Sequence, residues 1–446
     1  STTGVVTITG TAAAITAALD ALVFTPIAQS NADVTTTQFT INPGAGGTPD
    51  STTSVTSVQQ VLGLASVPTN QIAISVSPDG SAFAPAHYGK TNEAVVTDPA
   101  ETDTYSVPTG YAALFAGGTA DVTLSDSAVG NAILVANQGN DELIAGAPND
   151  ILVAGSGNDS LVGGKDASTV EGGTGAATVF AGAGAMHVIE GSGPLFFSGN
   201  SNAGSTIFGG AGPLSADLTG DHQTASVGGS AATITAAGSG DDVIGGTSSL
   251  SVTFTGSADT VQAGTGSNSL VSSGSGNLII GSTIPGAGGL LVTETGTNDT
   301  IQGGANPTTV TASSATQVYG GSGGLNFVGG TGTATVFGGT GADSVTAGAG
   351  GVVFNVDAAN NATVNRGTGA VTVFGAPNAT VNLTGSSGLP DFLVAGGGNE
   401  TLNAAGSSSS NCLRSKRRCR VRQRSPWSAD QATIRWWRVP PRGPRS

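Results

Sequence analysis

Residues 1–410 contain no cysteine; Cys412 and Cys419 both lie in the last 36 residues. That excludes a disulfide framework and Cys-ligated metals from the body of the chain. Positive charge is almost as scarce. Up to position 410 the only basic residues are Lys90, Lys165 and Arg366, against 28 acidic ones, so the body carries about −25. Such a balance argues against nucleic acid as a partner and fits a secreted bacterial protein. No apolar run approaches the length of a membrane-spanning helix, so no membrane span is expected. Charged residues make up only 10% and aromatics 5%. The apolar share of 38% is nevertheless too high for plain disorder.

Glycine fills the gap. It accounts for 72 of 446 residues, more than twice the usual share of roughly 7%. Each glycine costs a helix about 1 kcal/mol relative to alanine. Glycine has no strict every-third period, which excludes collagen. Glycine mixed with small polar and β-branched residues predicts many short strands joined by tight turns.

Four regions follow along the chain. Residues 1–57 read as a partial β-sandwich-like unit that ends in a Pro/Gly/Thr linker. Residues 58–117 hold short apolar runs broken by turn signals such as Ser77-Pro78-Asp79-Gly80. Residues 118–405 are repetitive. Residues 406–446 form a basic tail that carries eleven of the 14 basic residues and all three tryptophans, Trp427, Trp436 and Trp437. A glycine-rich coding sequence is full of GG dinucleotides, and out of frame these encode Arg and Trp. The tail from Asn411 is therefore read as a frame-shifted or cloning-derived end with little regular structure. At the other terminus, Ser1 replaces a Met start and no leader pattern follows, as expected of a mature form or a piece of a longer protein.

The repeat length is nine. In frames stepped from Ser127, the eighth position is Leu134, Leu143, Leu152, Leu161, Val170, Val179, Val188 and Phe197. Frames from Thr311 place Val318, Phe327, Val336, Val345 and Phe354 there; between these stretches the frame slips and recovers, as at Ala237–Gly245. Each unit offers a Gly-rich turn and a strand of about three residues with one large apolar side chain. Alone it buries nothing. Stacked at about 4.8 Å, successive units align these side chains into a ladder, two units making one coil. The fold expected is all-β: a right-handed parallel β-roll or β-helix solenoid, with a small β region before it.

The nonapeptides resemble the calcium-binding repeat of RTX (hemolysin-type) proteins, G-G-x-G-x-D-x-U-x, with U large and apolar. The units carrying the resemblance are Ala154–Val162 (AGSGNDSLV), Gly338–Thr346 (GGTGADSVT) and Ala237–Gly245 (AGSGDDVIG). The resemblance implies calcium held between turns two repeats apart, by turn carbonyls and the sixth-position Asp. Carried onto this chain, it marks Asp141, Asp150, Asp159, Asp242 and Asp343. Asp141 and Asp159 are eighteen residues apart and should stack on one edge as the best site. Asp150 falls on the other edge, and Asp343 and Asp242 lack aligned acidic partners. The alternative is a metal-free solenoid whose Asp and Asn residues only close turns. Separately, Val5–Gly10, Thr11–Leu22 and Val23-Phe24-Thr25-Pro26 resemble the tandem β-sandwich repeats of very large bacterial surface proteins.

Catalytic patterns are scarce. There is no G-x-S-x-G, H-E-x-x-H or G-x-x-x-x-G-K-[ST], and Gly-x-Gly strings are too common to mark a nucleotide loop. His87, His187 and His222 have no recognisable partner motif, and His187 should point outward. The expectation is a non-enzymatic structural or adhesive segment of a secreted or cell-surface bacterial protein. Its partners would be surface or matrix components, or further copies of itself. A polysaccharide-active β-helix enzyme, an epimerase or lyase, is the alternative; it would need acids and bases clustered across adjacent coils, and the body has few Lys, Arg, His or Tyr. Ice binding would need Thr-x-Thr rows at a coil period, and Thr233/Thr235 and Thr253/Thr255 do not recur that way in the sequence.

Overall fold

The computed structural model describes residues 104–396, apart from 108–111, 117–119, 127–129, 137, 200–203, 358–360, 386–390 and 395. Beyond that span it gives only backbone strands, at Thr35–Ile41, Ser51–Ser57, Ala73–Val76, Glu93–Val96, Asn399–Ala404, Ser410–Leu413 and Cys419–Gln423. The expected β-sandwich-like unit and the tail tryptophans otherwise lie outside the described residues. Ser410–Leu413 and Cys419–Gln423 pair in parallel with the strands one coil before them.

Among the described residues every regular element is a strand. Alternate strands belong to opposite walls, and within each wall the pairing is parallel from coil to coil. One wall runs Leu114, Leu134, Leu152, Val170, Val188 as facing residues of successive strands. The other runs Leu124, Leu143, Leu161, Val179, Phe197. From Leu134 and Leu143 onward these are the eighth-position residues of the sequence frame, and all, with Leu114 and Leu124, are 0% exposed. Both ladders continue to the end of the span, through Phe354, Val373 and Leu393 on one wall and Val345, Val364 and Leu383 on the other. The ladders are therefore apolar throughout, mostly Leu, Val and Ile with phenylalanines such as Phe197 and Phe354 among them, as an alternating strand with one buried face requires.

The frame slips have a simple cause. Most coils take eighteen residues, as from Leu161 to Val179. Leu270, however, pairs with Val292 and Ile279 with Ile301, because the loop around Pro285 adds four residues to one coil. Val188 pairs with Ile207, one residue late. Insertions are accommodated in turns, and the inward residues stay aligned.

Turn glycines allow the coils to approach one another. A Cβ on Gly157 would lie 1.7 Å from the carbonyl oxygen of Gly139 in the coil below. Gly175 stands in the same relation to Gly157, at 1.9 Å. No other residue fits such a stack.

The outer faces are uncommitted to the core. On one, Thr233 and Thr235 align with Ser251 and Thr253, and Thr309 and Thr311 extend the same columns two coils beyond Ser269 and Val271. Outward hydroxyls recur at the coil period on this face, but Thr-x-Thr pairs do not do so from coil to coil, since Ser251, Val271 and Leu291 interrupt them. Thr255 lies in the following turn rather than on this face.

Candidate metal centre

The sixth-position acids point inward. Each lies two residues before a ladder residue, so both side chains fall on the buried face of the strand. Asp141 and Asp159 are 1% and 3% exposed and sit one coil apart on the same edge. Asp141 Oδ1 accepts from Val122 N at 2.9 Å. Asp159 Oδ1 accepts from Asp141 N at 3.0 Å, and its Oδ2 from Gly155 N at 2.7 Å. Each carboxylate thus ties its own turn to the coil before it. Burial pushes the Asp159 carboxyl up to about 6, against the lowering effect of those amide bonds; the nearby Asp141 charge raises it further.

Asp150 does the same on the opposite edge. Its Oδ1 accepts from Ala132 N at 3.1 Å, and Oδ2 from Gly146 N and Ala147 N at 3.2 and 3.0 Å. Burial raises its pKa also. Asp343, buried, accepts from Leu325 N at 3.1 Å.

Asp242 is placed differently from the sequence expectation. The structure buries Val243 and exposes Ile244, so the local frame runs one residue earlier. Asp242 faces solvent, and Asp241, 0% exposed, holds the inward position. Sequence reasoning missed a whole column here. Asp241 Oδ1 accepts from Gln223 N at 2.8 Å, Asp259 Oδ1 from Asp241 N at 3.0 Å, Asn277 Oδ1 from Asp259 N at 2.9 Å, and Asp299 Oδ1 from Asn277 N at 2.9 Å. The signal was present: Asp241, Asp259 and Asn277 recur every eighteen residues, each two before a buried Val or Ile. The residue ahead of each takes a left-handed φ: Gly240 at 72°, Ala258 at 59°, Gly276 at 71° and Asn298 at 61°.

This column is the more electrostatically demanding of the two. Asp241 and Asp259 each leave Oδ2 buried with no hydrogen-bond partner. Burial pushes both carboxyls up to about 6, and neighbouring carboxylates add to the shift. At the end of the column Ser272 Oγ donates to Asp299 Oδ2 at 2.5 Å, and Asn277 Nδ2 donates to Ser272 Oγ at 3.0 Å. Buried Glu294 lies beside Asp299. Burial, and then Asp299 itself, push its carboxyl up to about 9, so it holds its proton at neutral pH.

Buried carboxylate oxygens without a donor, stacked under Gly-rich turns, are hard ligands of the type calcium selects. Among the described residues no three His, Cys, Asp or Glu side chains converge on one point. A calcium ion here would therefore draw most of its six to eight oxygens from turn carbonyls. With that qualification the residues fit the ion.

His187 lies on the outer face, its ring edge-on to Phe208 at 5.2 Å. His222 occupies a left-handed turn position, with φ 58°. His87 lies outside the described residues.

A parallel two-walled solenoid with inward acids two residues before several of its ladder residues is the geometry of a β-roll. The family model of the RTX calcium-binding nonapeptide repeat (4 copies) matches residues 128–161, 153–185 and 328–351. These segments are RTX nonapeptide repeats, a calcium-binding motif, and they contain Asp141, Asp150, Asp159 and Asp343. The Asp241–Asp299 column lies outside the matches. No curated protein and no solved structure matches the chain.

Proposed function

We propose that this solenoid is a calcium-stabilised, non-enzymatic structural or adhesive element of a secreted or cell-surface bacterial protein, with residues 118–405 as its repeat domain. The observation that supports the reading most directly is the Asp141–Asp159 pair, buried and in register across one coil inside a matched RTX segment. Asp150 and Asp343 are further ligand candidates, and Asp241, Asp259 and Asp299 replace Asp242 in that role. Calcium is scarce in the cytosol and abundant outside cells. Carboxylates that resist burial without a cation would leave the chain loose before export and compact afterwards. Its partners would be matrix or surface components, or other copies of the chain.

Hydrogen exchange of the full chain with calcium and with EDTA tests this. Chelation should lower amide protection across residues 141–162 and 241–301. Equal protection under both conditions would leave a metal-free solenoid.

A further inference from the structure

Residues 1–410 contain a single arginine, and it is sealed inside the solenoid. The Arg366 side chain has no exposed area, and neither does that of its partner Asp391. Arg366 Nε lies 3.2 Å from Asp391 Oδ1 and donates to the Gly369 carbonyl at 3.1 Å; its Nη1 donates to Asp391 Oδ2 at 3.2 Å.

The places of the two residues in the repeat give the pair its meaning. Asp391 stands two residues before the ladder residue Leu393, in the strand Asp391–Val394. It is therefore a sixth-position acid, like Asp159. Arg366 opens the turn of the preceding coil on that edge, seven residues before the ladder residue Val373. The stretch Arg366-Gly367-Thr368-Gly369-Ala370-Val371-Thr372-Val373 keeps the repeat's second and fourth glycines and its apolar eighth residue, and puts arginine where the repeat has its first glycine. The guanidinium therefore reaches from one turn to the acid of the next coil. It binds that acid and a turn carbonyl together, the two kinds of oxygen a metal between turns would bind.

We infer that Arg366 is a tethered cation that takes the place of a metal ion between these two coils, so that this end of the solenoid holds together without calcium. Among the described residues the only other lysine or arginine is Lys165, which is exposed and pairs with Asp166. A guanidinium suits the role, since its planar fork satisfies a carboxylate and a carbonyl at once and never loses its charge.

The test is hydrogen exchange on the full chain, read at residues 371–374 and 391–394. In the wild type, EDTA should leave their protection unchanged; a loss would overturn the inference. Arg366→Met leaves Asp391 buried and unpaired, and protection should fall by about a hundredfold or more. The double variant R366M/D391N removes both charges and should recover most of that loss. A double variant as loose as R366M would show that Arg366 acts by filling space, and the inference would fail. In R366G the corner is vacated, and millimolar calcium or guanidinium should restore protection lost in EDTA. No restoration by either cation, or full protection of R366G in EDTA, would equally refute the substitution of arginine for metal. This calcium arm rests on the function proposed above, which is read separately, in the wild type, at residues 141–162.

Discussion

Acidification should stabilise the calcium-free solenoid. Asp159, Asp241 and Asp259 each have a folded-state carboxyl pKa raised from 3.8 to about 6, with burial as the largest cause. A raised folded-state value means that the folded chain binds the proton more tightly than the unfolded one. The stabilisation is complete below about pH 4 and is lost as pH climbs through about 6. Two pK units correspond to about 3 kcal/mol per carboxylate. The Asp241 and Asp259 charges are coupled, so the three do not simply add, but the total is several kcal/mol, a large part of a typical domain's stability. The assay is thermal unfolding by circular dichroism in EDTA, from pH 4 to pH 7. The midpoint should drop by roughly 10 °C across that range. Calcium should oppose this. At pH 7 a hundredfold excess over Kd adds about 2.7 kcal/mol, whereas at pH 4 protons compete and the ion should add little. A midpoint in EDTA that stays level or rises from pH 4 to pH 7 would refute the claim that these acids are buried without a counter-charge.

Two substitutions probe the frame and the ladder. Leu161→Ala opens a cavity in a closed ladder and should cost about 2–5 kcal/mol in urea unfolding; a loss under about 1 kcal/mol would mean that Leu161 does not point inward. Asp242→Asn should change stability by less than about 0.5 kcal/mol, while Asp241→Asn keeps an acceptor for Gln223 N, removes a buried charge, and should raise the unfolding midpoint in EDTA at pH 7. Equal effects of the two variants would restore the frame read from the sequence alone.

The fold was legible wherever the coil length was constant. From Leu134 to Val188 every turn has the same length, so the nine-residue step and the direction of each side chain could be read without coordinates. Legibility failed where a turn changed length. The extra residue between Val188 and Ile207 shifts the inward positions before Asp241 is reached, and the motif frame Ala237–Gly245 then assigns the inward role to Asp242 in place of Asp241; the loop near Pro285 later displaces Val292 and Ile301 from the eighteen-residue count. A strand's side chains alternate, so a slip of one residue exchanges inside for outside. The same slip hid the Asp241–Asp259–Asn277–Asp299 column and the alignment of outward hydroxyls around Thr233 and Thr253. The Arg366–Asp391 pair was illegible for another reason: its members are twenty-five residues apart, and only parallel stacking brings the opening of one turn to the sixth position of the next.

The buried acids play two roles that pull in opposite directions. Each accepts a main-chain N–H from the coil before it, and often another from its own turn, as Asp150 does from Ala132, Gly146 and Ala147. Where no turn carbonyl takes over, as that of Ala176 does for Asp159 N, losing that acceptor would leave a buried amide unpaired, a cost of about 1–3 kcal/mol. An uncharged acceptor suffices for this, and Asn277 supplies one within the acidic column. The carboxylates therefore bring a charge that amide pairing does not require and that burial penalises. A charge retained under penalty is useful where something cancels it: the proton on Glu294, the guanidinium of Arg366, or a divalent ion between turns. Stability then depends on the counter-charge supplied, coil by coil. An all-asparagine column would stack in any medium. A column of aspartates stacks well only when cations are present, and under the proposed function that difference would make a glycine-rich rod responsive to the calcium around it.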